Sequence, residues 1–142
     1  KILYFIVSFL SVFVAINAKF IVSVIGGQGY ESASQVVILM SFYPIHQTIG
    51  QINGTIYMST ERTKIYKNIS IITAPFSIFL SYILIAPLSE YGFNLGALGL
   101  AIQMLIIQFI SQNLLLYYNC KFLKVNFWVL FFYQISSLNP LF

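Results

Sequence analysis

The sequence has very little charge. Only 7% of its 142 residues are Asp, Glu, Lys or Arg, against roughly 25% in average soluble domains. With 59% hydrophobic residues, a soluble chain this short could not cover its apolar inventory with polar surface, so a membrane class is expected. There is a single cysteine, Cys120, so no internal disulfide framework can form. The single histidine, His46, lies far from that cysteine in sequence and leaves no metal-ligand cluster. The three acidic residues, Glu31, Glu61 and Glu90, all fall outside the apolar cores. Catalysis needs convergent ionisable groups, and none are in sight. No G-x-x-x-x-G-K-[ST] stretch occurs, so ATP hydrolysis is not expected of this segment. The chain is read as a non-enzyme without cofactor or metal.

What the sequence does contain is a series of long apolar runs. A membrane-spanning helix needs about 20 predominantly apolar residues. Runs at about 2–25 (A), 32–58 (B), 68–87 (C) and 97–118 (D) meet that length, and a fifth, incomplete run (E) covers 127–142. Lys1 followed by 2–16 imitates a secretory signal, but the apolar run continues to Ile25, broken only by Asn17-Ala18-Lys19. Backbone groups in lipid must be satisfied within their own segment, which makes helices the expectation. The runs are continuous rather than alternating, which argues against a barrel. The expected fold is all-α: a polytopic transmembrane bundle of four full spans and the start of a fifth, forming a single transmembrane domain over 1–142. The chain opens without Met and stops inside an apolar run, so a piece of a longer polytopic protein is expected.

Charge sets an expected orientation. The net charge is +4, and the cations cluster between runs rather than forming a nucleic-acid surface. Arg62, Lys64 and Lys67 lie between B and C, Lys121 and Lys124 between D and E, and Lys1 precedes A. If the spans alternate, these six fall on one side, which the positive-inside rule places in the cytosol. Glu31 and Glu90 fall on the other, with Lys19 near the far end of A. Aromatic residues crowd the ends of the spans, among them Tyr30, Tyr57, Tyr66, Tyr91 and Trp128, as interfacial belts do. The GGQGYE stretch, 26–31, then faces outward. A phosphate-binding glycine loop should follow a strand. This one joins two spans, so it reads as a hairpin turn in which Glu31-Ser32 caps the start of B.

Span B divides on a helical wheel. Phe42, Ile45, Ile49, Ile52 and Ile56 share one face, and Tyr43, His46, Gln47, Gly50, Gln51, Asn53 and Gly54 share the other. Unpaired amides are costly in hydrocarbon, so this polar sector should face a hydrated cavity or another helix. D repeats the theme with Ala97, Ala101, Gln108 and Gln112. A (Ser8, Ser11, Ala15, Ala18) and C (Ser70, Thr73, Ser77, Ser81) carry small-residue stripes suited to close packing. Pro44 and Pro75 are expected to kink B and C. The candidate cavity residues are His46, Gln47, Gln51, Asn53, Gln108 and Gln112. His46 alone could titrate, although a lone buried histidine is more often a packing residue. The sequons at Asn53 and Asn68 are read as chance matches.

Several stretches resemble a known family. V-I-G-G-Q-G-Y-E followed by S-A-S-Q-V-V-I-L-M is similar to a turn of the polysaccharide flippases in the multidrug/oligosaccharidyl-lipid/polysaccharide exporter superfamily, with Gly27 and Tyr30 carrying the match. The basic loop M-S-T-E-R-T-K-I-Y-K, 58–67, and I-A-P-L-S-E-Y-G-F-N-L-G-A-L-G-L-A, 85–101, continue it through Pro87, Tyr91, Gly92, Gly96, Ala97, Gly99 and Ala101. The resemblance implies part of the C-terminal lobe of a bacterial inner-membrane flippase. Such a protein moves polyprenyl-pyrophosphate-linked oligosaccharide, an O-antigen or capsule repeat unit, by alternating access. Its expected partners are that substrate, membrane lipids, and a glycan polymerase and glycosyltransferases; nucleic acid is not expected. A pyrophosphate head would want cations, and only Lys19 is a candidate here, at an edge where snorkelling is the simpler reading. The alternatives are a drug or cation antiporter of the same superfamily, a membrane-embedded glycan-assembly enzyme, and a structural membrane subunit.

Overall fold

The computed structural model describes residues 2–136; Lys1 and the final residues of run E, 137–142, lie outside them. Within that range the chain is helical and has no strand. Its helices are α1 (Ile2–Ile16), α2 (Ala18–Gly26), α3 (Ser34–Ser41), α4 (Tyr43–Ser59), α5 (Thr63–Ile85), α6 (Gly96–Leu123) and α7 (Phe127–Ser136). Short 3-10 turns occupy Gln28–Ala33 and Leu88–Glu90. Among the described residues, α5 and α6 are each long and apolar enough to cross a membrane. The pair α1 and α2 would add a third span if read as one bent unit.

Two of the apolar runs do not form single helices. Run A bends by 68° between α1 and α2. At the break, the Asn17 side-chain amide donates to the Phe13 carbonyl at 2.8 Å, the same acceptor its own backbone N–H uses at 3.1 Å. Asn side chains compete with the helix ladder in this way. Run B breaks at Phe42, two residues before Pro44. Proline lacks a backbone donor, and here it sits in the first turn of α4 rather than inside a continuous helix. Pro75, by contrast, lies inside an α5 that continues past it. The GGQGYE turn is also built differently from expectation. Gly27 takes φ 77°, a value that suits glycine, and the chain enters a 3-10 turn at once, with no side-chain capping bond from Glu31 or Ser32.

α6 is the central element, packing against α3, α4, α5 and α7. Its apolar window is 22% buried in the bundle, against 6% for α5, whose outer face carries exposed Ile72, Ile78 and Phe79. Such a continuous apolar exterior is out of place in water and fits a lipid-facing surface. Paired residues give the directions. Gln47 meets Gln108 and Tyr57 meets Leu115, so α4 and α6 run parallel. Ser77 meets Gln103 and Leu84 meets Gly99, so α5 and α6 run antiparallel. The three helices alternate along the chain, as successive spans do.

The connections explain several glycines and loop residues. A Cβ on Gly99 would lie 2.8 Å from the Leu84 carbonyl oxygen, so only glycine lets α6 cross the end of α5 this closely. Gly92 is likewise pressed on the Ala86 backbone. The following residues return along α5: Phe93 N–H donates to the Ile83 carbonyl at 2.8 Å and Leu95 N–H to the Leu84 carbonyl at 3.0 Å. These bonds satisfy carbonyls that the last turn of a helix leaves unpaired. At the opposite end, α4 and α6 stop by the same device. Glu61 (φ 54°) and Lys124 (φ 55°) adopt left-handed conformations. The next N–H in each case, Arg62 or Val125, donates back to Tyr57 or Cys120 at 3.0 Å. Arg62 then lies over the Phe122 ring, 4.0 Å from its centroid. This contact brings the α4–α5 turn, with Arg62, Lys64 and Lys67, to the end of α6 that carries Lys121 and Lys124.

Candidate functional site

The polar sector of run B resolves into two neighbouring stripes on α4. His46, Gly50, Asn53 and Tyr57 follow each other at steps of four and three residues and fall within about 60° of one another on the helix. This stripe faces α6. Tyr57, fully buried, donates to the Leu115 carbonyl at 2.9 Å. Asn53 and Asn119 are each 2% exposed; the Asn119 amide donates to Asn53 Oδ1 at 3.0 Å, and the Asn53 amide donates to the Gln112 carbonyl at 3.4 Å. The His46 ring meets the Phe109 ring edge-on, with centroids 5.3 Å apart. Around Tyr57, Ile69 and Leu115 complete a small core.

The second stripe is turned about 100°, one residue step, from the first. It holds Tyr43, Gln47, Gln51, Gly54 and Met58, and it lines a cavity of about 570 Å³. Gly50 and Thr55 of α4, Gln108 and Gln112 of α6 and Tyr66 of α5 line it as well. That volume is within the roughly 300–1,000 Å³ of small-ligand sites. The Gln108 amide donates to Gln47 Oε1 at 2.5 Å, which bridges α4 and α6 across the cavity. Gln112 rests on Gly50: a Cβ there would lie 2.7 Å from the Gln112 amide carbon and oxygen, so glycine makes room for the amide. Gln112 Oε1 is buried and accepts no hydrogen bond.

Of the candidate residues, Gln47, Gln51, Gln108 and Gln112 line this cavity. His46 and Asn53 do not. They sit one step around the helix, in the α4–α6 seam, and the structure uses them for packing and interhelical bonding. Ile45, expected on the lipid face, is only 7% exposed, whereas Phe42 and Ile52 of the same face are open. α4 packs against α1 as well as α6, so it has more than one covered side. Lys19 is exposed and stands apart from the cavity. Sequence reasoning missed Asn119, Tyr66 and Thr55. Asn119 followed from a signal already used, since it continues the Gln108–Gln112 row by seven residues, two helical turns.

The small-residue stripes are only partly used for packing. Ser11 and Ala18 are buried, and the Gln103 amide donates to the Ser77 hydroxyl across α5 and α6. Ser8, Ser70 and Thr73 return their hydroxyls to carbonyls of their own helices. A further cavity of about 450 Å³ between α1 and the α3–α4 break is walled by aliphatic residues such as Leu10, Val37 and Met40. Among the described residues no group of three or more His, Cys, Asp or Glu could hold a metal ion. Compared with known proteins, the chain matches no protein family, no curated protein and no solved structure. Its function must be argued from this geometry and from the sequence pattern.

Proposed function

We propose that the chain forms one wall of a membrane transporter of the flippase type, which moves lipid-linked oligosaccharide across a bacterial cytoplasmic membrane. The observation that carries this reading is a cavity lined by four glutamine side chains in a bundle with an apolar exterior. Amides in hydrocarbon are costly, and intramembrane polar clusters tend to mark substrate paths. Glutamine amides can hydrogen-bond sugar hydroxyls and do no covalent chemistry. In this reading α1–α2 cross the membrane as a bent unit and α3–α4 as a broken one, making four spans with α5 and α6, and α7 begins a fifth. The basic end faces the cytosol, and α4 and α6 present their cavity to each side in turn as the lobes rock. The stretches that resemble polysaccharide flippases support the same reading. A cation antiporter would be expected to place a carboxylate in the membrane, and no acidic residue lines this cavity.

Cysteine scanning of residues 42–56 in a Cys120→Ala background tests the proposal in intact membranes. A membrane-impermeant thiol reagent is expected to label positions 47, 51 and 55 and to spare 45 and 53. Labelling confined to 49, 52 and 56 would overturn it. So would failure of the well-expressed protein to restore surface glycan in a cell lacking its own flippase.

A further inference from the structure

Five of the seven Lys and Arg residues gather at one end of the bundle. Arg62 closes the α4–α5 turn, and Lys64 and Lys67 stand in the first two turns of α5. Lys121 lies in the last turn of α6, and Lys124 ends it. Arg62 ties the two groups together. It is partly buried, with its guanidinium 4.0 Å from the centroid of the Phe122 ring. The four lysines are all exposed. Glu61 is the one acidic residue of these segments, so positive charge is in excess there. The cations do not stand on a polar surface. Phe122, Val125 and Trp128 are exposed among them, at the level where α5 and α6 leave their apolar spans. A soluble anion would neutralise the lysines and leave these apolar side chains in water. An anionic lipid covers both. Its acyl chains meet the rings, and lysine stems lie along apolar surface while their ammonium groups reach the phosphate. The opposite connection, 86–95, has exposed Tyr91 and Phe93 but no cation, and it carries Glu90. Rings occur at both ends, and only one end adds the charge.

We propose that this end of the bundle is a binding surface for anionic phospholipid headgroups of the surrounding leaflet. Lys64, Lys67, Lys121 and Lys124 take the phosphates, and Phe122, Val125 and Trp128 lie against the acyl chains. The Arg62–Phe122 contact keeps the lysines of α5 beside those of α6. Such a surface requires that α5 and α6 cross the membrane, and it is indifferent to what the bundle transports.

Trp128 is the only tryptophan and stands four residues beyond Lys124, so it reports on this surface without a label. The full chain is reconstituted in phosphatidylcholine bilayers with a minor fraction of dibrominated phosphatidylglycerol or dibrominated phosphatidylcholine, whose bromines quench nearby tryptophan. Quenching at equal mole fractions gives the relative binding constant of the two headgroups. The anionic lipid is expected to bind about fivefold more tightly, the effect of a single cation near an anionic surface. Lys64→Gln, Lys67→Gln, Lys121→Gln and Lys124→Asn together are expected to bring the ratio to one. These side chains are exposed, and asparagine suits the left-handed backbone at 124, so the fold is kept. Phe122→Leu keeps every charge but removes the ring under Arg62, and is expected to lower the ratio. Phe93→Trp with Trp128→Phe moves the reporter to the opposite connection, where no preference is expected. Equal quenching at Trp128, an equal preference at 93, or a ratio unchanged by the lysine substitutions overturns the proposal. Displacement of the brominated anionic lipid by inorganic phosphate at constant ionic strength assigns the lysines to a soluble anion and overturns it too. A ratio unchanged by Phe122→Leu overturns the role of the Arg62–Phe122 contact. No quenching of Trp128 by either lipid overturns the membrane placement of this end as well. Glycan export does not enter the readout, so loss of this surface leaves the transport reading standing.

Discussion

Asn53 and Asn119 hold each other across α4 and α6 while nearly excluded from the surroundings. Polar pairs between membrane helices measure about 0.6 kcal/mol on average and up to about 1.7 in double-mutant cycles, because the unfolded helices also find partners. A cycle of Asn53→Ala and Asn119→Ala, read by denaturant unfolding in detergent, is expected to give a coupling of about 0.6–1.7 kcal/mol. A value near zero would mean the two amides do not meet. Tyr57→Phe removes the bond to the Leu115 carbonyl but keeps the ring, and is expected to cost about 0.5–1.5 kcal/mol in the same assay. Gln51→Leu is expected to change stability in the same assay by less than either seam substitution, since Gln51 lines the cavity and is exposed. Glutamine and asparagine looked alike on the wheel. One residue step separates an amide used for packing from one left for a ligand, and only the neighbouring helix decides which is which.

At the scale of elements, the sequence carried length and direction better than continuity. α5 and α6 follow their apolar runs: α5 starts five residues before run C and stops two short of its end, and α6 starts one residue before run D and runs five past it. Run A is bent and run B is broken, because Asn17 competes for a helix carbonyl and Pro44 cannot share a ladder with its predecessors. Asn17→Leu removes the competing amide. Spin labels at positions 3 and 24 are expected to move further apart by pulsed EPR in this variant; an unchanged distance would assign the bend to packing alone. The antiparallel pairing of α5 and α6 is testable by cross-linking. Ser77→Cys with Gln103→Cys, in the Cys120→Ala background, is expected to form a disulfide on mild oxidation, detected by a gel shift. A control pair of Ser77→Cys with Gln112→Cys, two and a half helical turns further along α6, should not.

The molecule as a whole places Arg62, Lys64 and Lys67 beside Lys121 and Lys124 through the Arg62–Phe122 contact. Glu90 lies in the connection at the other end of α5. If the bundle is oriented by its cations, cysteines at 64 and 124 should be labelled only from the cytosolic side, and cysteines at 90 and 93 only from outside. Labelling of 64 and 90 from the same side would break the alternation of α4, α5 and α6. Glycines 92 and 99, first notable as points of resemblance to flippases, have local physical causes, Gly92 in the turn that presses on Ala86 and Gly99 in the crossing of α5 and α6. Close helix crossings of this kind occur in membrane proteins generally, so these two residues speak more for the bundle than for its substrate.

Composition and hydropathy determined the helical class of this protein and the presence of helices long and apolar enough to cross a membrane. Those properties depend on summed free energies of transfer along each run, and the order of residues within a run hardly alters them. The site depended on what cannot be summed. Whether Gln112 or Asn53 faces a cavity is settled by which side of α4 meets α6 and by the missing Cβ at Gly50. It also depends on the bend at Asn17 and on the break between α3 and α4. These are properties of pairs of elements, and they exist only once the helices are packed.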